Sequence, residues 1–468
     1  MPVPALNGGK RMALKEALQK LSIEEREKAY RQFLLGEATD PNALACELAI
    51  GTGRLGDFWA KHYLEEYISD GGSKIKFVSG KPGIGKTQLL STLSYRAQEL
   101  GYMTVSLSAK NVWLHDFREI YLNIFTQVNF EKILKGCANR IIEAMGYAPE
   151  EIPEGMTFDD YIASTGEMTF LTRRQLREEL TRHFLKNPRL DNNFACITSM
   201  MVGDILGHPL LDATAREQYT LWLNGEKKQK FTILSTLGLS PYRITKYNAR
   251  HMLRSLCELI HMSGSAGLLV TIDDLDTVMN RTGLEALHYT AMRRNDTYES
   301  IREMIDDIDT MKYLMIVFGM DRRMTEDEKQ GLKSYQALWV RIQSEIHSER
   351  FNSFTDIANL DELVKQELTE EEILDISQTL MDLYLTLKEE FPEIDREQLW
   401  REHGLLQPED SMPPEPRLID IDEAISMCEK QDFQATGIPR LINQVMFGLT
   451  QMSSDSDEKQ EEEENANV

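Results

Sequence analysis

From Met12 to Leu35, apolar residues recur at three- and four-residue intervals among charges (Leu14, Leu18, Leu21, Tyr30, Phe33, Leu34), which predicts a helical hairpin as a lead-in. Near Ser73 the pattern changes: Ile75 to Val78 is a short apolar run that ends in a glycine-rich segment, and a helical pattern follows from about Thr87 to Leu100. That order is strand, loop, helix. After Gly101, Met103 to Leu107 reads as a second strand, joined to the first as a parallel β-α-β unit requires. From about Ser108 to Ser263 the pattern is mostly helical, with the acidic, proline-containing Tyr147 to Gly155 as a surface loop. Leu268 to Ile272 and Tyr313 to Phe318 are continuous apolar runs, as strands buried on both faces need. Leu363 to Leu368 reads as a last, weaker strand, and Thr369 with Glu372 forms a capping box that opens a helical C-terminal part. The expected fold is α/β, with a parallel sheet, a large helical insertion over about 110–260 and an all-helical C-terminal lid. The expected division is 1–50 lead-in, 51–368 core, 369–450 lid and 451–468 tail.

Composition agrees with a folded chain: 41% of residues are hydrophobic and 27% charged. A chain of 468 residues exceeds one ordinary core, so attached helical parts are expected around a main domain. Acids outnumber bases by 76 to 52, a net charge of −24, which disfavours non-specific attraction to DNA or anionic membrane. The tail from Gln451 carries seven acids and one lysine, and reads as disordered. Five scattered cysteines show no zinc spacing and read as reduced core residues. The N-terminal segment lacks an apolar signal core and no run reaches a membrane-spanning length, so a cytoplasmic protein is expected.

The chemistry concentrates at strand ends. Gly80-Lys81-Pro82-Gly83-Ile84-Gly85-Lys86-Thr87 fits G-x-x-x-x-G-K-[ST], where glycines let backbone N–H groups curl round phosphates. Lys86 is placed to reach the β- and γ-phosphates of ATP and Thr87 to give its hydroxyl to Mg²⁺, while the helix start, with Gln88 next in line, faces the anion. Asp273 and Asp274 end the third strand; Asp273 suits the metal, and Asp274, where a glutamate is commoner, suits a general base. Arg440 opens an amphipathic helix within Thr436-Gly437-Ile438-Pro439-Arg440-Leu441-Ile442, from which it can reach a γ-phosphate or simply be solvated. Arg341, on Ser334 to Ile342, is either an arginine finger acting across a subunit boundary or an exposed residue of a core-packed helix. His251, His261 and His288 lack spaced partners, and Met311, Met315 and Met320 read as core filler.

Together these motifs resemble an AAA+ ATPase, in which a P-loop core is followed by a helical lid. In that resemblance Arg440 matches the lid's sensor-2 arginine and Arg341 takes a finger-like position. A narrower likeness joins most of Gly51 to Ile442 to the ATP-binding proteins of bacterial BREX phage-defence loci. It is carried by Phe77-Val78-Ser79-Gly80, Leu221-Trp222-Leu223-Asn224-Gly225-Glu226, Asp273-Asp274-Leu275-Asp276 and Ser334-Tyr335-Gln336-Ala337-Leu338-Trp339. Departures are Lys81-Pro82-Gly83-Ile84, where relatives often have an acidic or aromatic residue, and Asp274 in place of glutamate. The resemblance implies a sensor-1 polar residue after the fourth strand, for which Asp321 is the candidate.

The function so implied is ATP binding and slow hydrolysis coupled to assembly or remodelling of an antiviral defence complex. Its partners would be proteins, a helicase or methyltransferase component of the same system, and a homo-oligomer is expected. DNA contact would be indirect, or through the basic surface at Lys227, Lys228, Lys230 and Arg243, which a solvated loop explains equally well. The rival is a nucleotide-gated signalling switch of the STAND kind with little steady turnover. A nucleic-acid-binding module without enzymatic action is disfavoured by the acidic balance.

Overall fold

Five strands form one parallel sheet in the order β2-β3-β4-β1-β5. They are β1 (Ser73–Gly80), β2 (Met103–Ser108), β3 (Leu268–Asp273), β4 (Leu314–Asp321) and β5 (Ile357–Asn359). The protein is described from a computed structural model that covers residues 9–166, 169–279, 287–343, 351–406, 415–430 and 436–448. The acidic tail expected to be disordered lies outside the described residues.

Strand alternation divides the core in two. Ile75 and Phe77 of β1, Leu268, Val270 and Ile272 of β3, and Leu314, Ile316 and Phe318 of β4 enter one cluster. Their neighbours Val78, Leu269, Met315 and Val317 enter the other. The first face is covered by helices of the long segment between β2 and β3 (Phe117–Gln127, Phe130–Ala144, Ala249–Met262) and by Ala291–Asp307. The second is covered by the helix after β1 (Lys86–Glu99), the N-terminal helices Gly9–Gln19 and Ile23–Leu35, and the C-terminal helices from Glu370 onward. The long inserted segment therefore supplies most of one side of the main core, with Ala291–Asp307 completing it.

One expected element is corrected. Leu363 to Leu368 falls mainly within the helix Leu360–Glu367, and the fifth strand is Ile357–Asn359 just before it. Leu360, Leu363 and Val364 are buried at helical spacing, and Asn359 caps the helix by accepting from the Asp361 N–H at 3.1 Å. A three-residue edge strand paired through Phe77, Val78 and Ser79 carries too little alternation to stand out in a sequence. The capping box at Thr369 and Glu372 forms as expected and opens the 21-residue helix Glu370–Glu390. The N- and C-terminal helices are tied together by Trp400, whose indole N–H donates to the Leu34 carbonyl at 2.7 Å.

Met311, Met315 and Met320 are buried core residues. Of the cysteines, all free, Cys137 and Cys257 are buried and Cys46, Cys196 and Cys428 half-buried. Among the described residues no helix is long and apolar enough to cross a membrane.

Candidate nucleotide site

The C-terminal edge of the sheet gathers the motifs, because parallel strands all end on the same side. Gly80 leaves β1 beside Asp321, the last residue of β4, and the loop turns through left-handed Gly83 (φ +75°) and Gly85 (φ +98°) into the helix Lys86–Glu99. The Lys86 ammonium donates to the carbonyls of Gly80 and Lys81 at 2.8 and 2.9 Å, so the loop is curled round its own lysine. Ile84 is buried, Pro82 exposed, and the Lys81 N–H points at the Asp361 carboxylate, 3.3 Å from each oxygen. The Gln88 side chain has its partners in the N-terminal segment. Its amide donates to Thr39 and to the Ala45 carbonyl and accepts from the Thr39 N–H, which fastens the N-terminal segment to the P-loop helix.

Thr87 and Asp273 meet although 186 positions separate them: the threonine hydroxyl donates to the Asp273 carboxylate at 2.5 Å. Burial pushes the Asp273 carboxyl above its ordinary pKa, and the Thr87 hydrogen bond pulls the other way. β4 passes close to this carboxylate at Gly319, where a side-chain carbon would lie 2.4 Å from Asp273 Oδ1, so only glycine fits there. A hydroxyl and a carboxylate side by side suit Mg²⁺, which binds through few protein oxygens plus phosphates and water. Among the described residues no group of three or more His, Cys, Asp or Glu forms a protein-only metal cage.

Asp274 faces elsewhere. Its backbone is left-handed (φ 58°), a conformation that Asp tolerates better than most residues, and its N–H donates to its neighbour's Asp273 Oδ1 at 2.8 Å. Its carboxylate accepts from Ser108, at the end of β2, at 2.8 Å and from the Lys110 ammonium at 2.7 Å. Loss of solvent lowers the Lys110 pKa, but the hydrogen bond and charge of Asp274 outweigh this and leave it raised. Neither Ser108 nor Lys110 was among the expected site residues, since nothing local to β2 marks them; they matter only because β2 lies beside β3.

The two arginines differ. Arg440 opens the helix Ile438–Phe447, which docks on the P-loop through its backbone: Gly437 N–H donates to the Pro82 carbonyl at 2.8 Å and Arg440 N–H to the Gly83 carbonyl at 3.2 Å. The Arg440 stem lies over Gly83, where a side-chain carbon would meet its Cβ at 2.5 Å, and the residue is exposed. Arg341, near the end of the helix Gln336–Ile342, donates to both Asp306 oxygens at 2.5 and 3.1 Å and to the Ala337 carbonyl. None of these partners belongs to the P-loop edge. Asp321 is buried and accepts from Arg323, while its own N–H donates to Asp276 at 2.9 Å.

A further feature lies on the other side of the loop. Thr52 is fully buried, its hydroxyl has no hydrogen-bond partner among the described residues, and it lies 3.8 Å from where a side-chain carbon of Gly85 would stand. Next to it opens a cavity of about 310 Å³ lined mainly by Cys46, Ile50, Gly51, Leu368, Ile376 and Leu380. An Arg54–Glu367 ion pair of 2.6 Å stands at this cavity. The Gly51-Thr52-Gly53 step is the one sequence signal that could have marked it.

A family model for the BREX system ATP-binding protein BrxC/D matches residues 47–402. The chain belongs to this family. It is accordingly an ATP-binding protein of a BREX phage-defence system, on an α/β fold with a parallel sheet. No curated protein and no solved structure matches it. The BrxC/D match takes in the P-loop, Thr52, Lys110, Asp273, Asp274 and Arg341. It ends at Glu402, so Arg440 and its docked helix lie beyond it, although the resemblance in sequence reached Ile442.

Proposed function

We propose that this BREX protein is an Mg²⁺-dependent P-loop ATPase of AAA+ type with slow turnover, which couples its nucleotide state to assembly or remodelling of the defence complex. The observation that carries the reading is the 2.5 Å contact between Thr87 and Asp273, which sets a hydroxyl and a carboxylate beside the phosphate loop. Gly80 to Gly85 cradle the phosphates with backbone N–H groups, and Lys86 leaves the Gly80 and Lys81 carbonyls to pair with the β- and γ-oxygens. Thr87 and Asp273 would hold Mg²⁺, which would supply charge neutralisation at the phosphates. The nucleobase enters the cavity lined by Gly51 and Gly53 on either side of Thr52.

Asp274 orients the attacking water and takes its proton, once its carboxylate is free of Lys110. Arg440 reaches the γ-phosphate from the same chain and Arg341 acts on a neighbouring subunit of a homo-oligomer, each offsetting charge on the transferring group. In this reading residues 369–450 serve as the lid and residues 1–50 as a lead-in. Partners are protein components of the same system, a helicase or methyltransferase among them.

The second reading, a nucleotide-gated switch with little turnover, is favoured by the Lys110–Asp274 ion pair, which keeps the base occupied. ATP hydrolysis per chain, followed over a range of protein concentrations with Asp274→Asn as the blank, separates the two. A rate per chain that climbs with concentration supports the shared site; a flat rate at the blank's level removes hydrolysis and leaves the switch.

A further inference from the structure

Residues 227–249 contain Lys227, Lys228, Lys230, Arg243 and Lys246 and no Asp or Glu, within a chain where 76 of 468 residues are acidic. The fold brings the two basic ends of this stretch together and fixes them from below. Arg118, 9% exposed, donates to the Gly225 carbonyl at 2.6 Å and to the Ile244 carbonyl at 3.1 Å. The Trp222 indole donates to the Tyr242 carbonyl at 2.9 Å, Arg243 to the Gln229 carbonyl at 2.8 Å, and Asn248 to the Arg243 carbonyl at 2.9 Å. The Leu221-Trp222-Leu223-Asn224-Gly225-Glu226 segment thus acts as the base of a rigid basic platform.

What stands on the platform has a chemical direction. Lys227, Lys228, Lys230 and Lys246 are exposed, and among the described residues none of them pairs with a carboxylate. Glu226 marks the edge, where its carboxylate accepts from the Lys228 backbone N–H. Tyr247 is 78% exposed with the Lys246 ammonium 5.2 Å from its ring centre, and the Arg243 guanidinium lies 4.5 Å from the ring centre of Phe231, 45% exposed. Unpaired cations alone would suit any polyanion; open aromatic rings among them suit unstacked bases.

We infer that this face binds single-stranded nucleic acid, with the lysines on its phosphates and Tyr247 stacked on a base. The inference is independent of the P-loop reading and is tested without nucleotide. A fluorescent oligodeoxythymidylate strand is titrated with the full chain by anisotropy at several salt concentrations, beside a duplex of the same length. The unaltered protein should bind the strand with a log–log salt slope of about −2 to −3, as three or four phosphate contacts require. Lys227→Glu with Lys228→Glu and Lys230→Glu should weaken binding at least tenfold, and Tyr247→Ala should weaken the strand about tenfold while changing the duplex less than twofold. Absence of binding at about 50 mM salt, equal affinity of the charge-reversed protein, equal losses for strand and duplex in Tyr247→Ala, or equal displacement by a polyglutamate peptide would each overturn it.

Discussion

Lys86, bonded to the Gly80 and Lys81 carbonyls, and Thr87, bonded to Asp273, stand side by side at one helix start, whereas the two arginines sit on helices anchored in different places. The helix of Arg440 is fastened to Pro82 and Gly83 by backbone hydrogen bonds, and Arg341 is held on Asp306 by its side chain. Asp273 ends a parallel strand, and Lys86 and Thr87 open the helix that follows β1 through the loop, so the sheet edge holds the three together. The arginine helices are seated by buried Ile438, Ile442, Met446 and Phe447 and by buried Leu338 and Ile342, and only the exposed arginine side chains can be redirected at the cost of a few hydrogen bonds. On the proposed reading, binding belongs to the sheet edge and control of turnover to the two arginines.

Lys86→Ala strikes the first region and should have the largest effect: nucleotide binding measured by calorimetry falls below detection, with the thermal unfolding of the apoprotein unchanged. Retained binding would mean that the loop does not carry the phosphates. Asp274→Asn should keep binding within a few-fold while hydrolysis drops about a hundredfold or more, the range for a positioned general base. Arg341→Ala sharpens the contrast: the rise of rate per chain with concentration should vanish while the low-concentration rate stays, and an unchanged concentration profile would assign Arg341 to its Asp306 pair alone. Lys110→Ala frees the Asp274 carboxylate, so basal turnover should rise several-fold; a fall would show that Lys110 assists the reaction.

The smallest effect concerns how β1 is held. Lys76 is buried in β1, donates to the Phe354 and Thr355 carbonyls at 2.7 and 2.6 Å, and stands 4.5 Å from the Tyr63 ring centre. Burial pushes its ammonium down to about 8, with Asp356 pulling upward. The folded protein then holds this proton less tightly than the unfolded chain. Stability from this group is complete above the ordinary value of 10.5 and is lost as pH falls through about 8. Lys76→Met should cost about 1 kcal/mol at pH 7 by leaving the part-buried Phe354 and Thr355 carbonyls without this donor. The unaltered protein should also gain stability over this variant as pH rises from about 8 toward 10; parallel denaturation midpoints across that window would exclude the assignment.

Local pattern alone was enough for the P-loop between a strand and a helix, the buried strands ending at Asp273 and near Asp321, and the capping box at Thr369. Each depends on neighbours in sequence, where period and capping chemistry act. It was not enough for β5, whose three residues have no period, or for Gln88, whose partners Thr39 and Ala45 come from another part of the chain. Only the tertiary structure decided that the long insertion covers most of one sheet face, that Gly319 makes room for Asp273, and that Ser108 and Lys110 hold Asp274. Those facts follow from strand order, which places β2 beside β3 and β4 between β3 and β1, and strand order is set by packing between segments far apart in the chain.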